Sequence, residues 1–168
     1  WCSTSAPWFA HQVAYVRRVI DEVNAFDNVL YEIGNEMEVG ISAAQNNCTE
    51  VWTAALINEI KSYEATKPKR HPIGFTDSRE GPGNSYLLQS GATWISPGLE
   101  TGTYTINPDE YKGDAGGPPD RAGQKVIIVD SDHLGADYFT RHSVWANFTR
   151  GNQVISMEHD CVGKPGGG

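Results

Sequence analysis

Five apolar segments of this chain each end in polar residues, and this repeated pattern constrains the fold more than any other feature of the sequence. The segments cover residues 28–36, 71–77, 92–97, 125–130 and 153–158. Helical patterns lie between several of them. Strands that alternate with helices and are apolar on both faces are typical of a parallel sheet covered by helices. The sequence therefore predicts an α/β fold.

The predicted helices follow from apolar residues spaced three or four apart. Residues 11–26 carry such a stripe, with charged side chains on the opposite face. Residues 49–66 carry a second one, for which Thr49 is a suitable N-cap and Pro68 an end signal. A third helix is predicted over residues 136–149, before Gly151.

Two architectures have a parallel sheet covered by helices, the open doubly wound sheet and the (β/α)8 TIM barrel. Nucleotide-binding doubly wound sheets carry a glycine-rich turn such as GxGxxG or GxxxxGK[ST], and neither motif occurs here. Polar clusters instead follow nearly every predicted strand, at the end where a TIM barrel carries its active site. These clusters are Asn35-Glu36, Thr76-Asp77, Ser96-Pro97, Asp130-Ser131-Asp132-His133 and Glu158-His159-Asp160.

The pattern thus favours a barrel, but five strands cannot close one. A complete barrel takes about 250 residues, whereas this chain has 168. We therefore expect residues 1–168 to form a single partial TIM-barrel domain cut from a longer protein. Residues 98–123 are rich in glycine and proline and are too long for an ordinary connection, which predicts a functional or poorly ordered loop.

Composition excludes several classes of protein. The net charge of −8 and the pI of about 5.0 argue against a nucleic-acid partner. No apolar run reaches the roughly 18–20 residues that a membrane-spanning helix requires. Cys2, Cys48 and Cys161 form no CxxC pair, and this spacing favours three buried thiols over one disulfide with a free thiol.

The carboxylates at the strand ends suggest hydrolytic chemistry. Glycoside hydrolysis requires two carboxyl groups about 5–5.5 Å apart for retention of configuration, or about 6.5–9.5 Å apart for inversion. Glu36 at the end of the first predicted strand is one candidate. Asp130 and Asp132, which share a face at the end of the fourth, are candidates for the other. We expect Glu32, earlier on the first strand, to be a buried structural group.

Five further side chains are candidates for binding a sugar. Asn35 can hydrogen-bond a sugar hydroxyl, His133 can do the same or orient an aspartate, and Trp94 can offer a stacking face. Asp77 and Glu158 lie at the predicted rim of the site. The partner expected from these residues is a carbohydrate.

The segment Asp27-Asn28-Val29-Leu30-Tyr31-Glu32-Ile33-Gly34-Asn35-Glu36 resembles the fourth-strand signature of the clan A glycoside hydrolases. More narrowly, the chain is similar to a cellulase-like branch of proteins described as collagen-binding or glycoside-hydrolase-like. The further segments that carry this resemblance are Lys61-Ser62-Tyr63-Glu64 with His71-Pro72-Ile73-Gly74, Ala92-Thr93-Trp94-Ile95-Ser96-Pro97, Val129-Asp130-Ser131-Asp132-His133-Leu134 and Trp145-Ala146-Asn147-Phe148-Thr149-Arg150-Gly151.

The resemblance implies that the five predicted strands are the fourth to the eighth of a barrel. It also implies that Glu36 is the acid/base of a retaining O-glycosidase that uses no cofactor. The family places a glutamate nucleophile at the end of the seventh strand, where this chain has Asp130 and Asp132 instead. An aspartate is one methylene shorter, so the backbone would have to lie closer to the substrate.

Other interpretations remain open at this point. The chain can be a non-catalytic carbohydrate-binding barrel that has lost its nucleophile, or an inactive truncated fragment that associates through its open barrel edges. A Zn²⁺ or Mn²⁺ site around Asp130, Asp132, His133 and residues 158–160 has suitable ligands but no HxH or HExxH spacing, so we expect no metal. Polysaccharide hydrolases meet their substrates outside the cell, which suggests a secreted or periplasmic protein.

Overall fold

The computed structural model describes residues 2–37, 43–76, 84–96, 125–130, 145, 148–149 and 151–155. Within these residues the helices are α1 (Pro7–Val23), α2 (Ala43–Glu64) and α3 (Asn84–Gln89). The strands are β1 (Tyr31–Glu32), β2 (Ile73–Thr76), β3 (Trp94–Ser96), β4 (Val126–Asp130) and β5 (Gln153–Ile155). Each strand falls inside one of the five segments predicted from the apolar pattern.

All described strand pairs are parallel, and the strands lie in the sheet in their sequence order, β1-β2-β3-β4-β5. Glu32 is paired with Gly74, Gly74 with Trp94, and Trp94 with Val126. Because side chains alternate along a strand, these four residues share one face of the sheet. Their neighbours in sequence lie on the other face.

The core lies between that second face and the helices. It contains Tyr31, Ile73, Phe75, Ile95 and Ile127 from the strands, packed in one cluster with Ile20 of α1, Trp52, Leu56, Ile57 and Ile60 of α2, and Leu87 of α3. The described helices therefore cover the same face of the sheet. This arrangement leaves the face that carries Glu32, Gly74 and Trp94 without a described helix.

Helices α1 and α2 run parallel and contact each other along their length. Trp52 Nε1 donates a hydrogen bond to Gln12 Oε1 at 2.8 Å, and Arg17 Nε donates to Glu59 Oε1 at 2.6 Å. Further along both helices, Tyr63 Oη donates to Asp21 Oδ1 at 2.9 Å, and Asn24 Nδ2 donates to Glu64 Oε1 at 3.1 Å. The partners advance together along the two helices. We call this row of contacts the α1–α2 seam.

The helix boundaries differ from those expected. Helix α1 begins at Pro7, a residue that suits the first helical turn because its missing N–H is unpaired there in any case. Helix α2 begins at Ala43, so Thr49 lies inside the helix instead of capping it. The residues before Thr49 include Ala43 and Ala44, and alanine has the highest helix propensity. Helix α3 was not predicted, because six residues are too few for a helical period to show.

The prediction of three buried thiols was wrong for two of the cysteines. Cys2 and Cys48 form a disulfide with their Cα atoms 5.4 Å apart. The two cysteines are 46 residues apart in sequence, and the packing of α1 beside α2 brings them together. The sequence alone therefore did not predict the bond. Cys161 and the glycine-rich segment 98–123 lie outside the described residues, as does most of the helix predicted over 136–149.

Candidate functional site

The residues Asn35 and Glu36 are looped out of the sheet at the carboxyl end of β1. Before them, Ile33 N donates to the Gly74 carbonyl at 3.0 Å, and the Gly34 carbonyl accepts from Thr76 N at 3.3 Å. After them, Met37 N donates to the Thr76 carbonyl at 2.8 Å. Thr76 therefore binds the chain on both sides of the two residues. We call this feature the Asn35–Glu36 bulge.

Glu36 has a left-handed backbone conformation, with φ of 49°. Residues other than glycine rarely adopt positive φ, and such conformations cluster at active sites and ligand-binding segments. Both Asn35 and Glu36 are exposed, while Met37 immediately after them is buried. The bulge thus presents an amide and a carboxylate to solvent from a backbone that is anchored on both sides.

Glu32 precedes the bulge on the sheet face that carries Gly74 and Trp94. Its carboxylate Oε1 accepts a hydrogen bond from Thr76 Oγ1 at 2.6 Å. The Glu32 residue is exposed, so the expectation of a buried structural group was wrong. The physical reason is that β1 is the edge of the described sheet, and no described strand covers its outer side.

Trp94 lies on the same face and is 6% exposed. Its indole ring covers Gly74, where a Cβ atom would lie 2.2 Å from Trp94 Cδ2 and 2.4 Å from the Trp94 carbonyl oxygen. In this structure the faces of the Trp94 ring are therefore covered by protein. Trp94 Nε1 and Ser96 Oγ are buried without a hydrogen-bond partner in the described part of the chain.

The other predicted site residues fall mostly outside the structural description. Asp130 is the last residue of β4, which places its backbone at the carboxyl edge of the sheet, the same edge as the bulge. The side chain of Asp130 is outside the description. Asp77, Asp132, His133 and Glu158 also lie outside the described residues.

A second polar cluster lies at the opposite, amino end of the strands, and sequence reasoning missed it. Glu64, 1% exposed, ends α2, and His71, 8% exposed, precedes β2. Glu64 Oε1 accepts from His71 Nδ1 at 2.6 Å, from Tyr31 Oη at 3.0 Å and from Asn24 Nδ2 at 3.1 Å. Glu64 Oε2 accepts from His71 N at 2.8 Å. We call these four side chains the Glu64 network.

The hydrogen bonds of His71 assign its charge. Nδ1 faces the Glu64 carboxylate, and Nε2 lies 2.8 Å from the Phe26 carbonyl oxygen. Because both neighbours accept hydrogen bonds, we assign a hydrogen to each ring nitrogen, which makes the ring a cation paired with Glu64. Segments 61–64 and 71–74 were singled out in the sequence, but nothing in one sequence indicates that Glu64 and His71 touch.

The pKa shifts agree with this assignment. Burial alone lowers the pKa of His71, but the hydrogen bonds to Glu64 and to the Phe26 carbonyl outweigh it and raise the pKa above the ordinary 6.5. Burial likewise raises the pKa of Glu64, yet hydrogen bonds from His71 and Tyr31 outweigh that effect and lower it below the ordinary 4.5. Burial and the Glu64 carboxylate together raise the pKa of the Tyr31 hydroxyl.

A mainly apolar cavity of about 610 Å³ lies between α1, α2 and β1, and its lining includes Trp8, Val16, Trp52 and Ile33. Glu32 lines it, but Glu36 does not. The cavity is therefore separate from the Asn35–Glu36 bulge. The described residues contain no group of three or more histidine, cysteine or acidic side chains placed to hold a metal ion. None of the described helices is long and apolar enough to cross a membrane.

Comparison with known proteins identified no relative of this chain. A scan against protein-family models found no match, and searches of the curated proteins and of the solved structures found none either.

Proposed function

We propose that this chain is part of a cellulase-like (β/α)8 glycoside hydrolase that cleaves O-glycosidic bonds of a poly- or oligosaccharide with retention of configuration. The observation that carries the proposal is the Asn35–Glu36 bulge. It places an exposed carboxylate beside an exposed amide at the carboxyl end of a parallel strand, on a backbone with positive φ at Glu36. Active sites of parallel α/β folds lie at this end of the strands.

The strand order is compatible with the barrel part of the proposal. Consecutive parallel strands lie side by side without a reversal, and the described helices cover one face of the sheet. A doubly wound sheet reverses its strand order and carries helices on both faces. Successive strands of a barrel keep their sequence order, and the helices form an outer ring.

In the proposed reaction Glu36 acts first as an acid and then as a base. It donates a proton to the glycosidic oxygen while the carboxylate of Asp132 or Asp130 attacks the anomeric carbon. The bond to the leaving sugar breaks and a covalent glycosyl–enzyme ester forms. Glu36 then removes a proton from water, which attacks the anomeric carbon and releases the aspartate. In this proposal Asn35 hydrogen-bonds a sugar hydroxyl next to the bond that breaks.

The test is the Glu36→Gln variant, with Glu22→Gln as its matched control on the exposed side of α1. Glutamine keeps the shape of the side chain but cannot donate or accept the catalytic proton. We expect turnover of a soluble polysaccharide to fall by about 10²–10⁴-fold, the usual contribution of a general acid–base group. The control should leave turnover and the melting temperature unchanged. Equal activity of Glu36→Gln and the unmodified chain would refute the assignment.

The nucleophile is tested with Asp130→Asn and Asp132→Asn. We expect one of the two variants to lose turnover as severely as Glu36→Gln does. Proton NMR of the first product formed should show the anomer of the substrate, because two displacements restore the configuration. A product of inverted configuration would contradict the role of the aspartate as a nucleophile and assign it the role of a general base that activates water.

A non-catalytic carbohydrate-binding protein is the alternative, favoured by the aspartates that stand where the resembled family has a glutamate. It predicts that the chain binds glycans at the bulge without hydrolysing them. Calorimetric binding that Glu36→Gln and Asn35→Ala both weaken, with no reducing sugar released, would decide for it. Absence of both binding and turnover would assign the chain to an inactive fragment.

A further inference from the structure

The Cys2–Cys48 disulfide closes a covalent ring that contains the Asn35–Glu36 bulge. The ring runs from Cys2 through α1 and β1 to the start of α2, because Cys48 lies near the amino end of that helix. Cys2 packs against the edge of the apolar cluster. The disulfide therefore joins the amino ends of two helices at the same end of the sheet as the bulge.

The α1–α2 seam is fastened differently at its two ends. Near the carboxyl ends of both helices, Asn24 donates to Glu64 inside the buried Glu64 network, and Tyr63 and Lys67 hold Asp21. Towards the amino ends, the last hydrogen bond of the seam among the described residues joins Trp52 to Gln12. Beyond that pair the helices are joined by Cys2 and Cys48.

We propose that the Cys2–Cys48 disulfide is a redox-sensitive latch on the Asn35–Glu36 bulge. When it is closed, the amino ends of α1 and α2 cannot separate, and the stretch of chain between the two cysteines, which carries Glu36, is closed into a ring. When it is reduced, the ring opens at the bulge end, while the Glu64 network still holds the opposite end of the seam. The latch controls how well the bulge is ordered, and this part does not depend on the function proposed above. Only its effect on turnover rests on that function.

The reductant is a dithiol, such as dithiothreitol or a protein with two redox-active cysteines. One of its thiolates attacks Cys2 Sγ or Cys48 Sγ, which breaks the S–S bond and gives a mixed disulfide. Its second thiolate then displaces the protein sulfur. Two electrons pass to the protein, both cysteines take up protons as thiols, and the dithiol leaves as a disulfide. Disulfides persist in oxidising compartments, so the latch stays closed outside the cytosol.

The first step of the test counts thiols. In denaturant, an alkylating agent should label one of the three cysteines of the purified chain without reductant and all three with it. Intact mass spectrometry reads the number of labels. Three labels on the chain purified under air, without reductant, would overturn the proposal.

The second step follows hydrogen exchange by mass spectrometry in the oxidised chain, the dithiothreitol-reduced chain and the Cys2→Ser/Cys48→Ser variant. We expect amides of residues 33–37 to exchange at least about tenfold faster once the latch is open, with Tyr31 and residues 57–64 unchanged, as for local opening. Cys161→Ser is the matched control and should behave as the unmodified chain does.

Two results would refute the latch. Equal protection before and after reduction would show that the disulfide does not hold the bulge. Loss of protection at both 33–37 and 57–64 would show that it holds the whole fold instead. The comparison of the oxidised with the dithiothreitol-reduced unmodified chain still distinguishes these results if the double variant does not fold. Because neither step measures hydrolysis, a chain that hydrolyses no glycan can still pass or fail them.

Discussion

Glu64 brings a negative charge to a position that is 1% exposed, and every partner around it compensates that charge. The protonated His71 ring, the Tyr31 hydroxyl and the Asn24 amide all donate to its carboxylate. Removing one member of a buried ion pair leaves the other charge without compensation, which costs far more than an exposed pair is worth. The Glu64 network therefore fixes the meeting point of α1, α2, β1 and β2.

Glu64→Gln should lower the free energy of unfolding by about 3–5 kcal/mol, the cost of breaking a buried pair. The reason is that the His71 cation would then be buried beside a neutral amide. Urea denaturation of the variant and of the Glu22→Gln control measures the difference. A loss as small as that of the control would show that the network contributes nothing to stability.

The same pair makes a prediction for pH. The pKa of His71 is raised in the folded chain. Its contribution to the free energy of unfolding is therefore full below pH 6.5 and is lost as the pH rises through the folded pKa. The pKa of Glu64 is lowered in the folded chain. Its contribution to the free energy of unfolding is therefore full above pH 4.5 and is lost as the pH falls through the folded pKa. The pair should therefore stabilise the fold most between pH 4.5 and pH 6.5. This maximum in the free energy of unfolding should flatten in Glu64→Gln.

At the scale of elements, β2 and β3 approach closely because Gly74 has no side chain. The ring and the carbonyl oxygen of Trp94 both lie where a Cβ at Gly74 would be. A backbone atom cannot move aside as the end of a flexible side chain can. The contact between these strands therefore depends on one glycine.

Gly74→Ala should lower the free energy of unfolding by at least about 1–3 kcal/mol, the usual cost of overpacking. Gly91→Ala is the matched control, because its Cβ would lie 3.2 Å from Ile57 Cγ2 and 3.5 Å from Lys61 Nζ. Neither atom belongs to the backbone, and the closer contact, with Ile57, asks for a shift of only a few tenths of an ångström. Thermal melts of the two variants give the comparison, and equal melting temperatures would contradict this account of the strand contact.

How far the sequence predicts such features depends on their range along the chain. Period-two and helical patterns are local, and they located the strands β1 to β5 and the helices α1 and α2. The Glu64–His71 pair, the Cys2–Cys48 disulfide and the contact between Trp94 and Gly74 join distant parts of the chain. Their partners become neighbours only when helices and strands pack. The Asn35–Glu36 pair was visible as residue types, whereas the bulge that presents it was not.

At the scale of the whole molecule, β1 forms an edge of the described sheet, and apolar side chains lie exposed beside it. Leu30, directly before β1, is 56% exposed, and Phe26 is 57% exposed. An open strand edge with apolar neighbours favours pairing with another chain. We therefore propose that the chain self-associates through the β1 edge.

Light scattering should show an average mass that rises with concentration above the 18.4 kDa of one chain. Leu30→Lys should weaken association, because charged side chains on an edge oppose pairing. Val51→Lys, at a position 48% exposed on α2, is the matched control and should leave association unchanged. A mass equal to one chain at all concentrations would exclude the proposed self-association.

The double attachment of Thr76 has a consequence for how this protein can be altered. Because Thr76 N binds Gly34 and the Thr76 carbonyl binds Met37, the alignment of β1 with β2 is set outside the two residues between them. We therefore expect residues added or removed between Gly34 and Met37 to change the size of the loop and to leave the pairing of the strands intact. The position of Glu36 above the sheet can therefore vary, by evolution or by engineering, independently of the framework that supports it.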